Sequence, residues 1–123
     1  MKIEIQSLNF ALAPAQMRYI ERRVSFALAA NTEQIERVEL WLSEISLTEG
    51  NVFNRCLIQV QLKSKTMVVS ENIDADLRVA IHRAADQASW KVPRALGLQQ
   101  RYAGTSLKIP RPSIESRLEY MAQ

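Results

Sequence analysis

The sequence predicts an α+β domain of order β-α-β-β-β-α, with two helices packed on one face of a four-stranded sheet and a C-terminal tail that carries a short helix. Three observations predict this class. Four segments alternate apolar and polar residues, two segments place apolar residues at helical spacing, and short polar turns join the last three strands. Because the sheet offers one apolar face, we expect both helices to pack side by side on it.

The first strand and the first helix are predicted near the N-terminus. Residues 2–6 alternate, which turns Ile3 and Ile5 to one side of a strand. Pro14 suits the first turn of a helix, where its missing N–H costs nothing. The helix should end near Asn31, a residue that tolerates the left-handed conformation. Its apolar stripe runs through Met17, Ile20, Val24, Ala27 and Leu28.

Three further strands are predicted in succession. Residues 37–43 and 55–62 both alternate, and the glycine-containing turn at 48–51 has the length of a hairpin loop. A polar turn at 63–65 leads into a fourth strand at 66–71. These strands should form an antiparallel meander with one buried face and one solvated face.

The second helix follows Asp74 and Asp76, which are expected to cap its N-terminus and complement its dipole. Pro93 removes a hydrogen bond from the helix, so a bend or an end is expected near residues 89–93. The apolar stripe of this helix covers about five turns. It consists of Leu77, Ile81, Ala84, Ala85, Ala88, Val92 and Ala95.

Gly97 is the next stop signal and divides the chain into a domain, 1–97, and a C-terminal tail, 98–123. Residues 98–112 are rich in proline and polar side chains and are predicted to be irregular. A final short helix is expected over 114–121, preceded by a serine that can cap it.

Composition excludes several classes of protein. The chain has 123 residues, of which 47% are hydrophobic, as in an ordinary globular domain. No apolar run approaches the ~18 residues of a membrane span, and the N-terminus lacks the apolar stretch of a secretory signal. One cysteine and one histidine exclude an internal disulfide and the common zinc sites. We therefore expect a cytoplasmic protein that holds no metal or cofactor and does not bind a membrane.

The net charge is only +3, but the charges are unevenly distributed. Residues 33–49 hold five acids and one base, whereas residues 78–111 hold seven bases and one acid. Such polarity is typical of a protein that presents a positive surface to a polyanion. It is equally typical of a solvated helix face followed by a basic tail.

Catalytic signals are weak, so we expect no enzyme. His82 and Asp86 lie four residues apart on the second helix, but no nucleophile has a defined position beside them. A solvated surface pair explains them better. Cys56 falls on the apolar side of its strand and is expected in the core. The three glycines are scattered, which excludes a phosphate-binding loop.

Signals for binding lie on the second helix and on the sheet. Arg83, Lys91 and Arg94 fall within roughly 80° of one another around the helix axis. Trp90 projects near them, where its ring either stacks on an unpaired base or is covered by the tail.

A second candidate surface lies on the sheet face that points away from the helices. Trp41 and Leu57 occupy the outward positions of neighbouring strands and form a small apolar patch. This patch is a site for a protein partner, a site for weak self-association, or a shelf for the tail. The sequence leaves these alternatives open.

Three segments, taken in order, resemble one family. The first, MKIEIQSLNFALAPAQMRYIERRVSFAL, is a strand followed by a proline-started helix with a tyrosine and a basic pair. The second is VELWLSE with the strand that follows it. The third, ENIDADLRVAIHRAADQASWKV, is an acidic lead into an alanine-rich basic helix. Residues 1–96 thereby resemble the bacterial ribosome hibernation promoting factors and ribosome-associated translation inhibitors.

The resemblance implies the same β-α-β-β-β-α fold and a translation inhibitor of stress and stationary phase. In this family the basic helices contact 16S ribosomal RNA of the small subunit, and the domain blocks the channel used by messenger and transfer RNA. Together with the exposed basic positions, the resemblance predicts an RNA-binding set. Its members are Arg18, Arg22, Arg23, Lys63, Lys65, Arg78, Arg83, Lys91 and Arg94.

The second helix departs from the family pattern. Gln87, Trp90 and Pro93 stand where relatives usually place lysine or arginine. This departure favours one alternative function, a divergent family member that binds another protein through Trp41, Leu57 and the tail.

Overall fold

A computed structural model of the chain describes residues 1–105. The α+β class is confirmed, and the predicted elements occur in the predicted order with a 3-10 helix added before the second strand. The elements are β1 (Lys2–Ser7), α1 (Pro14–Ala27), the 3-10 helix (Ala29–Gln34), β2 (Ile35–Thr48), β3 (Asn51–Leu62), β4 (Met67–Asp74) and α2 (Leu77–Thr105).

The four strands lie in the order β1-β2-β3-β4. β1 is parallel to β2, and α1 belongs to the crossover that joins them. β2, β3 and β4 form the predicted antiparallel meander, in which Trp41, Leu57 and Glu71 lie side by side. The sheet is therefore mixed, with β1 and β4 as its two edges.

One face of the sheet, here called the core face, is buried against the helices. α2 approaches it closely because small residues line the helix, and the Ser70 hydroxyl donates to the Ala84 carbonyl at 2.8 Å. The buried side chains of the core face include Val38, Leu40, Leu42, Cys56, Ile58, Val60 and Leu62. The helices contribute Ile20, Val24, Ala80, Ile81, Ala84, Ala85, Ala88 and Val92.

β2 and β3 extend further than predicted and project beyond their neighbours. Pairing with β1 ends at Leu42 and pairing with β4 ends at Asn54, so the parts of β2 and β3 between these two residues pair only with each other; we call them the β2–β3 extension. The Asn9 side chain continues the β1 ladder, because its amide donates to the Glu44 carbonyl and accepts from the Glu44 N–H, each at 2.8 Å.

α1 ends at Ala27, earlier than the predicted end near Asn31. Leu28 is only 2% exposed, and burying this side chain turns the chain inward. The Thr32 hydroxyl then donates to the carbonyls of Leu28 and Ala29, at 3.3 and 3.1 Å. These bonds serve carbonyls at the start of the 3-10 helix, while the Leu28 N–H closes α1 on the Val24 carbonyl. Asn31 has φ of −123° and therefore does not adopt the expected left-handed conformation.

The N-terminus of α2 is capped as predicted. The Arg78 N–H donates to Oδ1 of Asp76 at 2.9 Å, and the Asp76 N–H donates to Oδ2 of Asp74 at 2.8 Å. The two aspartates thus satisfy backbone donors and place negative charge at the positive end of the helix.

α2 continues through Pro93 to Thr105, so the predicted irregular structure over 98–112 is wrong as far as Thr105. A proline removes only one helical hydrogen bond, here to the carbonyl of Ser89, and the good helix formers that follow offset this loss. The predicted helix over 114–121 lies outside the described residues.

The chain divides after Pro93 into two compact units, Met1–Pro93 and one that begins at Arg94. The predicted division into 1–97 and 98–123 stays a prediction. Within residues 1–105, no helix has the length and apolar character needed to cross a membrane.

Candidate nucleic-acid interface

The solvent side of α1 carries two arginines whose charges are not neutralised by the described part of the chain. Arg18 and Arg22 lie one turn apart on the side of α1 opposite the buried Ile20 and Val24. Both are exposed, and among residues 1–105 neither has an ion-pair or hydrogen-bond partner for its side chain. Their guanidinium groups are therefore available to an anionic ligand.

Phe26 lies one further turn along the same side of α1, and its side chain is 80% exposed. We call Arg18, Arg22 and Phe26 the α1 ridge. The sequence-based search missed Phe26, although its position off the apolar stripe and four residues after Arg22 was a usable signal.

Two further arginines lie where α1 meets α2. Nε of Arg23 donates to Nδ1 of His82 at 3.1 Å, and Nη2 of Arg23 lies 3.4 Å from the His82 carbonyl oxygen. One turn earlier on both helices, the Arg78 guanidinium lies 4.9 Å from the centre of the Tyr19 ring. Both contacts cross between the helices, so the two arginines hold fixed positions beside the α1 ridge.

A cavity of about 150 Å³ opens between the N-terminal halves of the two helices. Tyr19 and Arg78 line its polar side, and Ile20, Leu77 and Ile81 are among its apolar lining residues. We call the surface formed by Arg18, Arg22, Arg23 and Arg78 the cationic surface. It therefore includes this cavity as well as the α1 ridge.

Arg83 lies on the flank of α2 away from α1. Its Nη1 is 3.5 Å from Oδ1 of Asp74, and its side chain remains 59% exposed. An exposed pair of this kind contributes at most about 1 kcal/mol, but the carboxylate cancels much of the field of the arginine. Arg83 is thus a weaker candidate for phosphate binding than Arg18 or Arg22.

Lys91 was expected on the exposed surface, and the structure corrects this expectation. Its residue is only 5% exposed, and Nζ donates to the Val69 carbonyl on the edge strand β4 at 3.1 Å. Burial lowers the pKa of this lysine. Lys91 follows Ala84 and Ala88 along the buried stripe, where its aliphatic stem covers apolar surface. Its ammonium group is therefore withdrawn from the cationic surface.

The remaining predicted cations lie elsewhere. Lys63 and Lys65 are in the β3–β4 turn, where Nζ of Lys65 is 3.6 Å from Oε2 of Glu36. The Lys63 N–H donates to the Gln34 carbonyl at 2.9 Å, which places this turn beside the 3-10 helix. Arg94 is exposed and begins the second unit.

Groups that suggested catalysis have structural roles. His82 pairs with Arg23 across the helices. Cys56 is fully buried, and burial raises the pKa of its thiol to about 12, so the thiolate is suppressed. Within the described residues, no three His, Cys, Asp or Glu side chains form a group that could hold a metal ion.

The sheet face opposite the helices, here called the open face, carries the predicted apolar patch. Trp41 lies opposite Leu57, and a cavity of about 190 Å³ beside them is also lined by Leu8 and Ser43. Arg55 borders this cavity and forms an ion pair with Glu71, so its charge is satisfied within the sheet.

Known structures share this fold. The N-terminal domain of Protein Y from Thermus thermophilus matches with a TM-score of 0.61 and 29% identity, covering 76% of this chain and 98% of that domain. A ribosomal subunit interface protein from Coxiella burnetii matches with a TM-score of 0.67 and 10% identity, covering 79% of this chain and 99% of that protein. Both are members of the hibernation-promoting factor family, so the predicted resemblance is confirmed.

A scan against protein-family models gives no match, and a search of curated proteins gives no significant match. The likeness to solved structures is therefore what identifies the fold.

Proposed function

We propose that this chain is a cytoplasmic, non-enzymatic translation inhibitor that binds 16S ribosomal RNA of the small ribosomal subunit and blocks the channel for messenger and transfer RNA. The structural likeness to the Protein Y domain and to a ribosomal subunit interface protein supports association with the ribosome. The observation that carries the proposal is the pair of unneutralised guanidinium groups on the α1 ridge, Arg18 and Arg22.

Folded RNA suits this surface for electrostatic reasons. Each phosphate neutralised by a fixed arginine releases condensed counterions, which favours binding without reading sequence. Arg23 and Arg78 add two positioned cations beside the ridge, since His82 and Tyr19 hold them at the helix–helix contact. A rigid body of this kind inhibits by occupying space, so it needs no catalytic group.

The residues of the predicted RNA-binding set are not expected to contribute equally to binding. Arg18, Arg22, Arg23 and Arg78 form its centre. Arg83 and the lysines of the β3–β4 turn contribute less, because Asp74 and Glu36 lie beside Arg83 and Lys65. Lys91 is left out because the residue is buried against the sheet and its ammonium group donates to the Val69 carbonyl of β4.

Co-sedimentation with purified small subunits tests the proposal. The double variant Arg18→Gln/Arg22→Gln should weaken binding strongly, because it removes two free cations. The matched control Lys2→Gln/Arg37→Gln removes two cations from β1 and β2, where each already pairs with a glutamate, without placing like charges opposite one another in the sheet. It should bind as wild type does. Full binding by the ridge variant, or equal loss in both variants, would show that the ridge is not the contact surface.

A second candidate function is a protein-binding module, favoured by the cavity beside Trp41 and Leu57 on the open face. The tail that this hypothesis also invokes lies outside the described residues. Recovery of partners from lysate with and without ribonuclease separates the two functions. Recovery that depends on RNA supports ribosome binding, whereas one polypeptide recovered without RNA and lost in Trp41→Ala supports the alternative.

A further inference from the structure

The Phe26 side chain is a solvent-facing aromatic ring beside arginines. It is 80% exposed, more than any other large hydrophobic residue whose side chain the structure describes. On a helix, side chains three and four residues apart are neighbours, so Arg22 and Arg23 both flank this ring. Arg23 is held by His82, whereas Arg22 is unpaired among residues 1–105.

We infer that Phe26 is a stacking platform for one unpaired RNA base, and that two successive phosphates on one side of this base bind Arg22 and Arg18. This inference rests on the proposed function and adds the part of the RNA that the α1 ridge recognises. A nucleotide strand offers the flat face of a base to the ring and successive phosphates to Arg22 and Arg18, which follow one another along the ridge on the same side of the ring.

Charge favours RNA over an apolar protein surface as the occupant. A protein that buried Phe26 would also have to desolvate Arg22, which is costly without a paired anion. The one carboxylate of α1, Glu21, lies roughly 140° from Phe26 around the helix axis, and although it comes three residues after Arg18 it forms no ion pair with this arginine. A nucleotide supplies the apolar face and the anion together.

The test uses three substitutions of the same residue, Phe26→Tyr, Phe26→Leu and Phe26→Ala. Tyrosine keeps the aromatic ring, leucine keeps only the apolar volume, and alanine removes both. Because Phe26 is exposed, none of the three should disturb the fold. Leu47→Ala is the matched control, since Leu47 is also exposed (58%) but lies on the β2–β3 extension.

Two probes are needed, a labelled single-stranded uridine oligonucleotide and the same strand with abasic positions, both measured by fluorescence anisotropy. For the intact strand, Phe26→Tyr and Leu47→Ala should bind as wild type does. Phe26→Leu and Phe26→Ala should bind about tenfold more weakly, the usual loss when an aromatic ring no longer stacks on a base. For the abasic strand all five proteins should bind alike, since phosphates alone remain.

Several results would overturn the inference. Equal binding by Phe26→Leu and wild type would identify a merely apolar contact, as a protein partner would make. Undiminished binding by Phe26→Ala would show that the ring takes no part. The same variants on small subunits separate this inference from the proposed function. Subunit binding that survives Phe26→Ala leaves the function intact and removes the inference. If oligonucleotide binding depends on the ring but wild type does not bind the small subunit, the stacking inference stands and the proposed function is overturned. If wild type binds neither oligonucleotide nor subunit, both are overturned.

Discussion

Arg23 on α1 is joined to His82 on α2 by two hydrogen bonds, from Nε to Nδ1 at 3.1 Å and from Nη2 to the carbonyl oxygen at 3.4 Å. The first bond requires an unprotonated Nδ1, so the remaining ring proton of a neutral His82 lies on Nε2. The pair links the two helices beside the α1 ridge. It gives the only histidine in the chain a structural partner on the other helix.

Removing either partner of this contact should destabilise the fold modestly. We expect Arg23→Gln and His82→Ala each to lower the free energy of unfolding by about 1 kcal/mol, the usual contribution of one hydrogen bond. Urea denaturation of both single variants and the double variant measures their coupling. The double variant should lose clearly less than the sum of the singles, and strict additivity would contradict a direct interaction.

The close approach of α2 to the sheet depends on small side chains. Ala84 has no exposed surface, and its carbonyl accepts the hydrogen bond from Ser70. Ala84→Leu should therefore lower the free energy of unfolding by about 1–3 kcal/mol through overpacking. The control Ala30→Leu adds the same volume at an exposed position and should change stability by less than about 0.5 kcal/mol in either direction. Similar free energies of unfolding for the two variants would contradict the close packing of Ala84 against the sheet.

Cys56 makes stability depend on pH in the alkaline range. Burial raises the pKa of the folded thiol from 9.0 to about 12, so between these values the unfolded chain loses a proton that the folded chain retains. The free energy of unfolding should therefore fall as pH rises from about 9 towards 12. Cys56→Ala should lack this component, which pH-dependent urea titrations of the two proteins isolate by difference. The native thiol should also resist labelling reagents until the protein unfolds, and rapid labelling of the native protein would contradict burial.

Lys91 should contribute a pH dependence of opposite sign. Burial lowers its folded pKa below the ordinary value of 10.5, so the unfolded chain binds more protons and stability rises as pH approaches 10.5. Lys91→Met keeps the aliphatic stem and removes the charge, so this rise should disappear while RNA binding is retained. A loss of RNA binding as large as that of the Arg18/Arg22 variant would show that Lys91 contacts RNA and would contradict its exclusion from the RNA-binding set.

The salt dependence of subunit binding should distinguish free from paired arginines. The slope of log K against log salt should become shallower by about one for each phosphate contact removed, hence by about two in Arg18→Gln/Arg22→Gln. Arg83→Gln should change the slope by less, because Asp74 already pairs with this arginine. Binding constants measured at several salt concentrations give the slopes. An equal change of slope for each arginine would contradict the expectation that Arg83 binds phosphate less well than Arg18 and Arg22.

Predictions from the sequence were most reliable where a local pattern had a single explanation. The alternation around Cys56 placed this residue in the core, and Asp76 was correctly expected to cap α2. Boundaries were less predictable. In β2 the apolar residues after Leu42 fall at Ile45 and Leu47, on the opposite parity from the core face, so the alternation that predicted the strand stops at Leu42. α2 passes Pro93 because the residues beyond it favour a helix.

By itself, the sequence determined the element order, the buried faces of β2 and β3 and the family that the chain resembles, because periodicity and capping are properties of neighbouring residues. Only the tertiary structure decided which cations are available to a ligand. Lys91 bonds to β4, Arg23 bonds to His82, and Arg83 pairs with Asp74, whereas Arg18 and Arg22 have no such partner among residues 1–105. All three partners come from other secondary-structure elements, so the charge that remains exposed depends on how the helices and the sheet pack together.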